Sequence, residues 1–253
     1  MLLTADIGNT NITLGIYENG ILLDCWRFKS EKDRLEDEYG IILSSIINHK
    51  GLENKINHAI VASVVLPLTE TFEKAIKKYL GIPVMVLSHK INTGVKLNVE
   101  NPKQVGADRI ANAYAAYKTY GSPAVVIDFG TATTFDVLYK DEFIGGVIAP
   151  GLNISANALS SNTSLLPNIK IATPQNVIGR NTIDNMLSGI VIGHAALTEG
   201  IIARIEDELN MPVTTIATGG YSQIIKNYLK RPIDYFSPNL TLDGLSLLFG
   251  LNN

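Results

Sequence analysis

Apolar and polar positions follow the same order at two places along the chain. A short apolar run ends in Asp-x-Gly, small hydroxyl or amide residues follow, and a second apolar run continues the chain. The first copy covers residues 2–13 and the second covers residues 125–135. Strand-like runs on both sides of the glycine predict a β-hairpin, whereas a P-loop or a dinucleotide-binding turn leads into a helix.

Both hairpin turns are candidate phosphate-binding loops. Asp6 and Asp128 each end a predicted buried strand, and the glycines two residues later, Gly8 and Gly130, let the backbone turn tightly. Backbone N–H groups and hydroxyls after the glycine can hold phosphate oxygens. A single Asp-x-Gly is most often an ordinary turn. Two copies at matched positions predict a duplicated fold, whose hairpins could grip a polyphosphate from both sides of a cleft.

The remaining periodicity predicts alternating strands and helices. In the first half we expect three strands within 2–28, a helix that opens in the charged segment 30–38, strands at 59–65 and 84–87, a helix at 69–80, an irregular stretch at 91–105 and an alanine-rich helix from 106. The second half predicts strands at 124–128, 133–139, 143–148, 213–218 and 233–236, with helices at 155–161, 182–209, 223–229 and 242–250. Gly121-Ser122-Pro123 marks the boundary, which gives halves 1–120 and 121–253.

Composition narrows the class of protein. The chain has 253 residues, of which 46% are hydrophobic and 18% charged, so it can build a sizeable core. A net charge of −3 without a dense Lys/Arg run argues against nucleic acid as the main partner. No stretch reads as the roughly 20 apolar residues of a membrane span. Cys25 is the only cysteine, which excludes an intrachain disulfide and favours a cytoplasmic location.

Four short motifs carry a family resemblance. Asp6-x-Gly8-Asn9-Thr10 and Asp128-x-Gly130-Thr131 resemble the phosphate motifs of the acetate kinase, sugar kinase, Hsc70 and actin superfamily. Together with Gly106-Ala107-Asp108-Arg109 and Ala217-Thr218-Gly219-Gly220, in that order over almost the whole chain, they resemble the type III pantothenate kinases. The resemblance implies an α/β fold of two similar ribonuclease H-like mixed-sheet halves around a nucleotide cleft. It also implies ATP-dependent phosphorylation of pantothenate to 4′-phosphopantothenate, the first step of coenzyme A biosynthesis.

The resemblance also implies ligands for individual residues. ATP would be bound by Asp6, Gly8, Asn9, Thr10, Asn11, Thr13, Gly130, Thr131, Gly219 and Gly220, and pantothenate by Gly106, Ala107, Asp108, Arg109, Thr182 and the segment around Val99. Asp6 would orient Mg²⁺ through water, because Mg²⁺ keeps much of its hydration shell. Asp128 would ligate K⁺ or NH₄⁺. Alternatively or in addition, Asp128 accepts backbone N–H bonds as a turn cap.

Asp108 is the expected general base, since the matching residue of the family takes the proton of the pantothenate hydroxyl. An ordinary Asp has a pKa of about 3.9 and is a weak base. In a loose transition state the proton leaves late, so position counts for more than basicity. The fork of Arg109 suits the pantothenate carboxylate. The alternatives are that Asp108 and Arg109 merely start a helix and that Thr182, with Asn181, is a helix cap.

One segment departs from the family pattern. Residues 94–102 read Gly-Val-Lys-Leu-Asn-Val-Glu-Asn-Pro, shorter than the usual segment and with Val99 in place of a tyrosine. This change leaves one wall of the pantothenate pocket undefined. A phosphatase, or a kinase for another small hydroxy acid on the same fold, therefore stays open. So does a non-catalytic accessory paralogue with a regulatory role, although the intact Asp6, Asp108, Arg109 and Asp128 favour catalysis.

The helix that begins at Thr182 suggests an assembly. Gly189, Gly193, Ala196 and Gly200 lie on one of its faces. Each glycine inside a helix costs about 1 kcal/mol relative to alanine, so close packing is expected there. The partner surface belongs either to the same chain or to a second copy in a two-fold homodimer, which the family resemblance favours.

Overall fold

The computed structural model describes all 253 residues, and it contains both strands and helices. The strands are β1 (Leu2–Ile7), β2 (Asn11–Glu18), β3 (Ile21–Lys29), β4 (His58–Ser63), β5 (Val84–Val86), β6 (Lys96–Leu97), β7 (Ala124–Phe129), β8 (Ala132–Tyr139), β9 (Glu142–Pro150), β10 (Thr214–Thr218) and β11 (Tyr235–Phe236). The helices are α1 (Glu36–His49), α2 (Leu66–Leu80), α3 (Ala107–Tyr120), α4 (Leu152–Ser161), α5 (Thr182–Leu187), α6 (Gly193–Leu209), α7 (Ser222–Lys226) and α8 (Leu240–Asn252). A 3₁₀ turn covers Pro102–Gln104, and a π-helical stretch at Ser188–Ile192 joins α5 to α6.

The chain divides into two units. The first contains residues 1–118 together with 239–253, and the second contains residues 119–238. The change of unit after residue 118 lies close to the boundary predicted at 120. Helix α8, however, belongs to the first unit, whereas the sequence placed it in the half 121–253. As functional domains, the two halves stay a prediction.

The first unit is a five-stranded mixed sheet in the order β3-β2-β1-β4-β5. Strands β1, β2 and β3 are antiparallel neighbours, and β4 and β5 run parallel to β1. Helices α1 and α2 cover this sheet through a core that includes Tyr39 and Phe72, whose rings meet edge to face at 5.4 Å. Helix α8 also packs in this unit, where the Tyr17 hydroxyl donates to the Asp243 carboxylate at 2.5 Å.

The second unit repeats the same order of strands, β9-β8-β7-β10-β11. Its hairpin has the same register, because Asp6 lies opposite Thr13 in one unit and Asp128 lies opposite Thr134 in the other. The third strand of each unit has a register irregularity at the equivalent place, next to Tyr17 and next to Leu138. The predicted duplication of the hairpin is therefore confirmed, strand by strand.

Several predicted boundaries were wrong. The charged segment 30–38 is helical only from Glu36, because Glu31 to Arg34 form a turn before the helix. Three acidic residues then occupy the first turn of α1, where the helix dipole favours them. Helix α2 begins at Leu66, earlier than predicted, since Pro67 is well suited to a first helical turn. Helix α7 ends at Lys226 rather than at 229.

The helical run from Thr182 to Leu209 has the bounds that the sequence predicts, with the π-helical stretch inside it. By length and composition it could cross a membrane, with a mean hydropathy of 1.5 in its most apolar window. Half of that window is buried inside the protein, as it is in the core helix of a globular protein. One such helix is weak evidence for a membrane.

Candidate active site

The first phosphate loop has three residues, Gly8, Asn9 and Thr10, between β1 and β2. Its backbone is tied from two sides. The Gly8 N–H donates to the Asn11 carbonyl at 3.0 Å, and Ser30 donates from its hydroxyl to the Gly8 carbonyl at 2.6 Å and from its N–H to the Thr10 carbonyl at 3.0 Å. Asn9 and Thr10 remain exposed. The loop is thus held in shape while its tip faces solvent, as a ligand-binding loop requires.

Strand β4 connects this loop to the Asp108 motif within the first unit. The Val64 N–H, just beyond β4, donates to the Ile7 carbonyl at 3.1 Å. A Cβ placed on Gly106 would lie 3.3 Å from a methyl group of Val64 and would overlap the Asp108 carboxylate. Gly106 therefore leaves room for that carboxylate to fold back toward the end of β4. Asp6 in β1 and Asp108 at the start of α3 thus lie near the same end of β1 and β4, where Val64 follows β4.

Asp108 occupies the first turn of α3, where its carboxylate accepts the Arg109 N–H at 2.8 Å. Burial raises the pKa of this carboxyl above its ordinary value, while the Arg109 N–H and the Arg109 charge oppose that rise. Ala107 is buried and Arg109 is half-buried at the same helix start. The alternative that Asp108 and Arg109 start a helix is therefore correct as a description of where they lie. A carboxylate with a raised pKa is also a better base than an ordinary Asp.

The second phosphate loop is one residue shorter, with Gly130 and Thr131 between β7 and β8. The Gly130 N–H donates to the Ala132 carbonyl at 3.1 Å, the counterpart of the Gly8 bond. Gly151 lies directly against this loop, since a Cβ on it would overlap the Thr131 carbonyl and reach within 2.7 Å of the Gly130 carbonyl. Helix α4 begins at the next residue, so its first N–H groups adjoin the loop. Such groups lack partners inside the helix and suit phosphate oxygens.

The glycine pair after β10 lies beside Asp128. Strand β10 is parallel to β7, and Thr218 is paired with Asp128. A Cβ on Gly219 would overlap the Asp128 carboxylate and come within 2.6 Å of the Phe129 backbone. Gly219 also has a φ of +88°, which disfavours any other residue. The predicted adenosine motif and the second phosphate motif therefore form one continuous surface of the second unit.

The Asp6 carboxylate suits a cation that is also bound by the phosphates of a substrate. No group of three or more His, Cys, Asp or Glu side chains could hold a metal ion. Mg²⁺ usually takes one or two carboxylates and completes its shell with water and substrate phosphates. Asp6 beside an exposed phosphate loop fits that pattern.

Two of the predicted pantothenate contacts lie apart in the chain. Val99 belongs to the first unit, and Thr182 begins α5 in the second. The capping role falls to Asn181, whose side chain accepts the Asp184 N–H at 2.9 Å. Thr182 is exposed and lies at an open pocket of about 910 Å³ that His194 and Leu197 also line. The capping alternative is therefore wrong for Thr182 and correct for Asn181.

Sequence reasoning missed three supporting residues. Ser30, Val64 and Gly151 hold the two loops and Asp108 in place, and none belongs to a recognised motif. The Pro150-Gly151 pair was interpreted as the end of a hairpin. A glycine between a strand and a helix was the available signal for close packing at that point.

Comparisons with known proteins agree with this arrangement. The sequence profile of the family described as type III pantothenate kinase matches residues 2–204. The type III pantothenate kinase of Myxococcus xanthus (strain DK1622) is 42% identical over 257 residues, which covers 100% of this chain and 99% of the relative.

Solved structures show the fold. A Campylobacter jejuni protein assigned to the Baf family of transcriptional activators has a TM-score of 0.62 at 20% identity, over 99% of this chain and 98% of that one. The inorganic polyphosphate/ATP-glucomannokinase of Arthrobacter sp. strain KM has a TM-score of 0.51 at 16% identity, over 100% and 99%. These likenesses confirm the predicted fold of the actin and sugar-kinase superfamily. The sequence matches add the narrower assignment: this chain belongs to the type III pantothenate kinase family.

Proposed function

We propose that this chain transfers the γ-phosphoryl group of ATP to the 4′-hydroxyl of pantothenate, with Asp108 as the general base. The observation that carries the proposal is the half-buried Asp108 carboxylate, which lies against Gly106 near the end of β4, the strand beside the one that ends in the Asp6 loop. Membership of a kinase family supplies the reaction type. The local geometry supplies the base and a phosphate loop within one unit.

The chemistry needs a proton acceptor and neutralised phosphate charge. The pantothenate oxygen would attack the γ-phosphorus, its proton would pass to an Asp108 carboxylate oxygen, and the bond to the ADP oxygen would break. Backbone N–H groups of the Gly8 and Gly130 loops would hold the phosphate oxygens. Arg109, half-buried beside Asp108, would bind the pantothenate carboxylate with its planar fork.

Two cations belong to this scheme. ATP is used with a divalent metal, and Asp6 would orient Mg²⁺ through water. K⁺ or NH₄⁺ would bind at Asp128. Its carboxylate lies close to both Gly219 and Gly130, since a Cβ added to Gly219 would overlap it and a Cβ added to Gly130 would lie 3.3 Å from it. A monovalent ion there would screen the carboxylate from the phosphates of ATP.

The assay that tests the function is ADP release with and without pantothenate, in Na⁺ and in K⁺. We expect release that depends on pantothenate and is faster in K⁺. Pantothenate-independent release would indicate an ATPase, and no release at all would favour the accessory paralogue. Other small hydroxy acids in the same assay would test the alternative acceptors that Val99 leaves open. The exposed thiol of Cys25 suits a reducing compartment, and we expect the enzyme in the cytoplasm.

A homodimer completes the proposal. Gly189, Gly193 and Ala196 are exposed on one face of the Thr182–Leu209 helix. A Cβ on Gly189 or Gly193 would meet nothing within 4 Å, so packing inside the chain does not explain these glycines. A second copy, with its own backbone close to this face, would explain them. Thr182 at the start of the same helix would then reach the pantothenate pocket of the other copy.

The test of the dimer is a Gly193→Leu variant. Leucine is the better helix former, and a Cβ at position 193 meets no atom within 4 Å in the single chain, so the fold should persist. We expect light scattering to give a mass near 27.4 kDa for the variant and near twice that for the wild type. Gly250→Leu, in α8 and equally unobstructed, is the matched control and should remain dimeric. A wild-type chain that is monomeric and fully active would contradict the proposal.

A complementation experiment tests the shared pocket. Asp108→Asn and a Thr182 variant deficient in pantothenate binding should each be nearly inactive. Mixed dimers would contain one pocket with both wild-type residues, so activity should partly return. If it does not return although mixed dimers form, Thr182 does not act across the interface.

A further inference from the structure

Helix α8 contacts two parts of the first unit that precede or carry predicted pantothenate residues: helix α3, which carries Asp108, and the segment that leads to Val99. The Thr241 hydroxyl donates to the Asn112 side-chain oxygen at 2.8 Å, one helical turn after Asp108. Gly244 lies against the backbone of Ala111, where any Cβ would overlap the carbonyl. These two contacts hold α3 directly below its catalytic first turn.

The last turn of α8 holds the segment that carries Val99. The Asn92 N–H donates to the Asn252 side-chain oxygen at 3.0 Å, and the Asn252 amide donates to the Asn92 carbonyl at 2.8 Å. This two-way bond copies the pairing of a β-ladder with a single side chain. It fixes residue 92 at both of its backbone polar groups.

The same segment is held against α3 two residues later. Gly94 has a φ of +70°, and a Cβ on it would overlap the ring of Tyr114. The Gly94 N–H donates to the Asn92 side chain at 3.1 Å, and Val95 is buried. Residues 92–95 are therefore held between α8 and α3, and the chain continues through β6, Val99 and the 3₁₀ turn at Pro102–Gln104 to Gly106.

We infer that Asn252 is a positioning residue for pantothenate, which acts by holding residues 92–95 against α3, at the start of the segment that leads to Val99. The inference rests on the proposed function. Loss of the Asn252 amide would release the Asn92 backbone and loosen the start of this segment. The expected consequence is weaker pantothenate binding with little change in ATP binding.

The experiment compares Asn252→Ala with Asn253→Ala in the full chain. Asn253 is the neighbouring residue of the same type, and its side chain is exposed and makes no hydrogen bond. We expect Asn252→Ala to raise the KM for pantothenate roughly 3- to 10-fold, the effect of one or two lost hydrogen bonds. The KM for ATP and kcat should stay within about twofold on the same reasoning. Asn253→Ala should behave as wild type.

Binding without turnover gives a second readout. Calorimetric titration with pantothenate in the absence of ATP should show the same loss of affinity for Asn252→Ala. Asn252→Asp keeps the acceptor for the Asn92 N–H but not the donor, so it should fall between alanine and wild type.

Three outcomes overturn the inference. One is an unchanged pantothenate KM in Asn252→Ala beside normal wild-type turnover, which leaves the proposed function intact. Another is a parallel fall in kcat, in ATP affinity and in Tm, which would mark a purely structural role. The third is a wild-type chain without pantothenate-dependent ADP release, which overturns the proposed function as well.

Discussion

The two phosphate loops are built on the same hairpin but are supported differently. Strands β1 and β7 share one burial pattern, in which only the aspartate, Asp6 or Asp128, departs from full burial. Each loop glycine donates its N–H across the turn to the start of the next strand. The strand burial and the hydrogen bond across the turn are therefore the same in both units.

The surroundings differ. The Gly8 loop has an extra residue, an exposed tip and a hydroxyl from Ser30 beneath it. The Gly130 loop is shorter and lies against the backbone at Gly151, while Gly219 lies against the end of β7 just before the loop, and Thr131 is exposed. In the proposed function the acceptor and its base lie beside the first loop, and adenosine lies against the backbone surface beside the second. The two copies of the hairpin therefore differ in loop length and in the residues that support each loop.

Asp108→Asn should give the largest effect, because Asp108 is the proposed general base and lies in the first unit alone. Turnover should fall by roughly 10²-fold or more, the contribution of a general base. ATP binding should stay nearly intact. The measurement is kcat together with ATP affinity from equilibrium binding. Turnover at the wild-type rate would remove Asp108 from the chemistry.

Gly219→Ala tests the enclosed surface of the second unit. Its Cβ would collide with the Asp128 carboxylate and the Phe129 backbone, in addition to the strain of a positive φ. We expect ATP affinity to fall by more than tenfold, since at least about 1.4 kcal/mol of contact would be lost. Gly121→Ala is the control, because Gly121 has a φ of +83° and no atom within 4 Å of its Cβ position. It should lose only about 1–2 kcal/mol of unfolding free energy, measured with urea, and keep its ATP affinity.

Replacing K⁺ with Na⁺ tests the proposed cation site at Asp128 and should have a smaller effect than the two substitutions. The expected result is a several-fold rise in the KM for ATP with a smaller change in kcat, because the ion would screen Asp128 from phosphate. Asp6 has no such expected dependence, so Mg²⁺ titrations should be unaffected by the exchange. Equal kinetics in both salts would leave Asp128 with the turn-cap role alone.

The smallest expected effect concerns stability. Burial raises the pKa of Asp108, so the folded chain binds that proton more tightly than the unfolded chain does. The carboxylate therefore lowers stability above its folded pKa, and this cost disappears as the pH falls toward the ordinary Asp value. Asp108→Asn should be more resistant to urea than wild type at pH 7, with an advantage that shrinks in acid. An advantage that does not change with pH would point to packing instead.

The sequence predicted what depends on local pattern. The hairpins, the helix after Gly106 and the run from Thr182 to Leu209 follow from periodicity and from glycine positions. The contacts that support the loops could not be predicted, because they join residues that are far apart in the sequence. Ser30 acts on Gly8 from 22 positions away, and nothing in its surroundings marks it. The contact between Gly219 and Asp128 needed the pairing of β10 with β7, which no local pattern reveals.

The return of α8 to the first unit reverses the order in which the two units can be finished on the ribosome. Residues 119–238 are continuous and can fold as soon as they emerge. The first unit, although made earlier, must wait for Leu242, Leu245 and Leu248 before that side of its core is covered. We therefore expect the first unit, which carries Asp108, to become fully ordered only after residues 239–253 have been made.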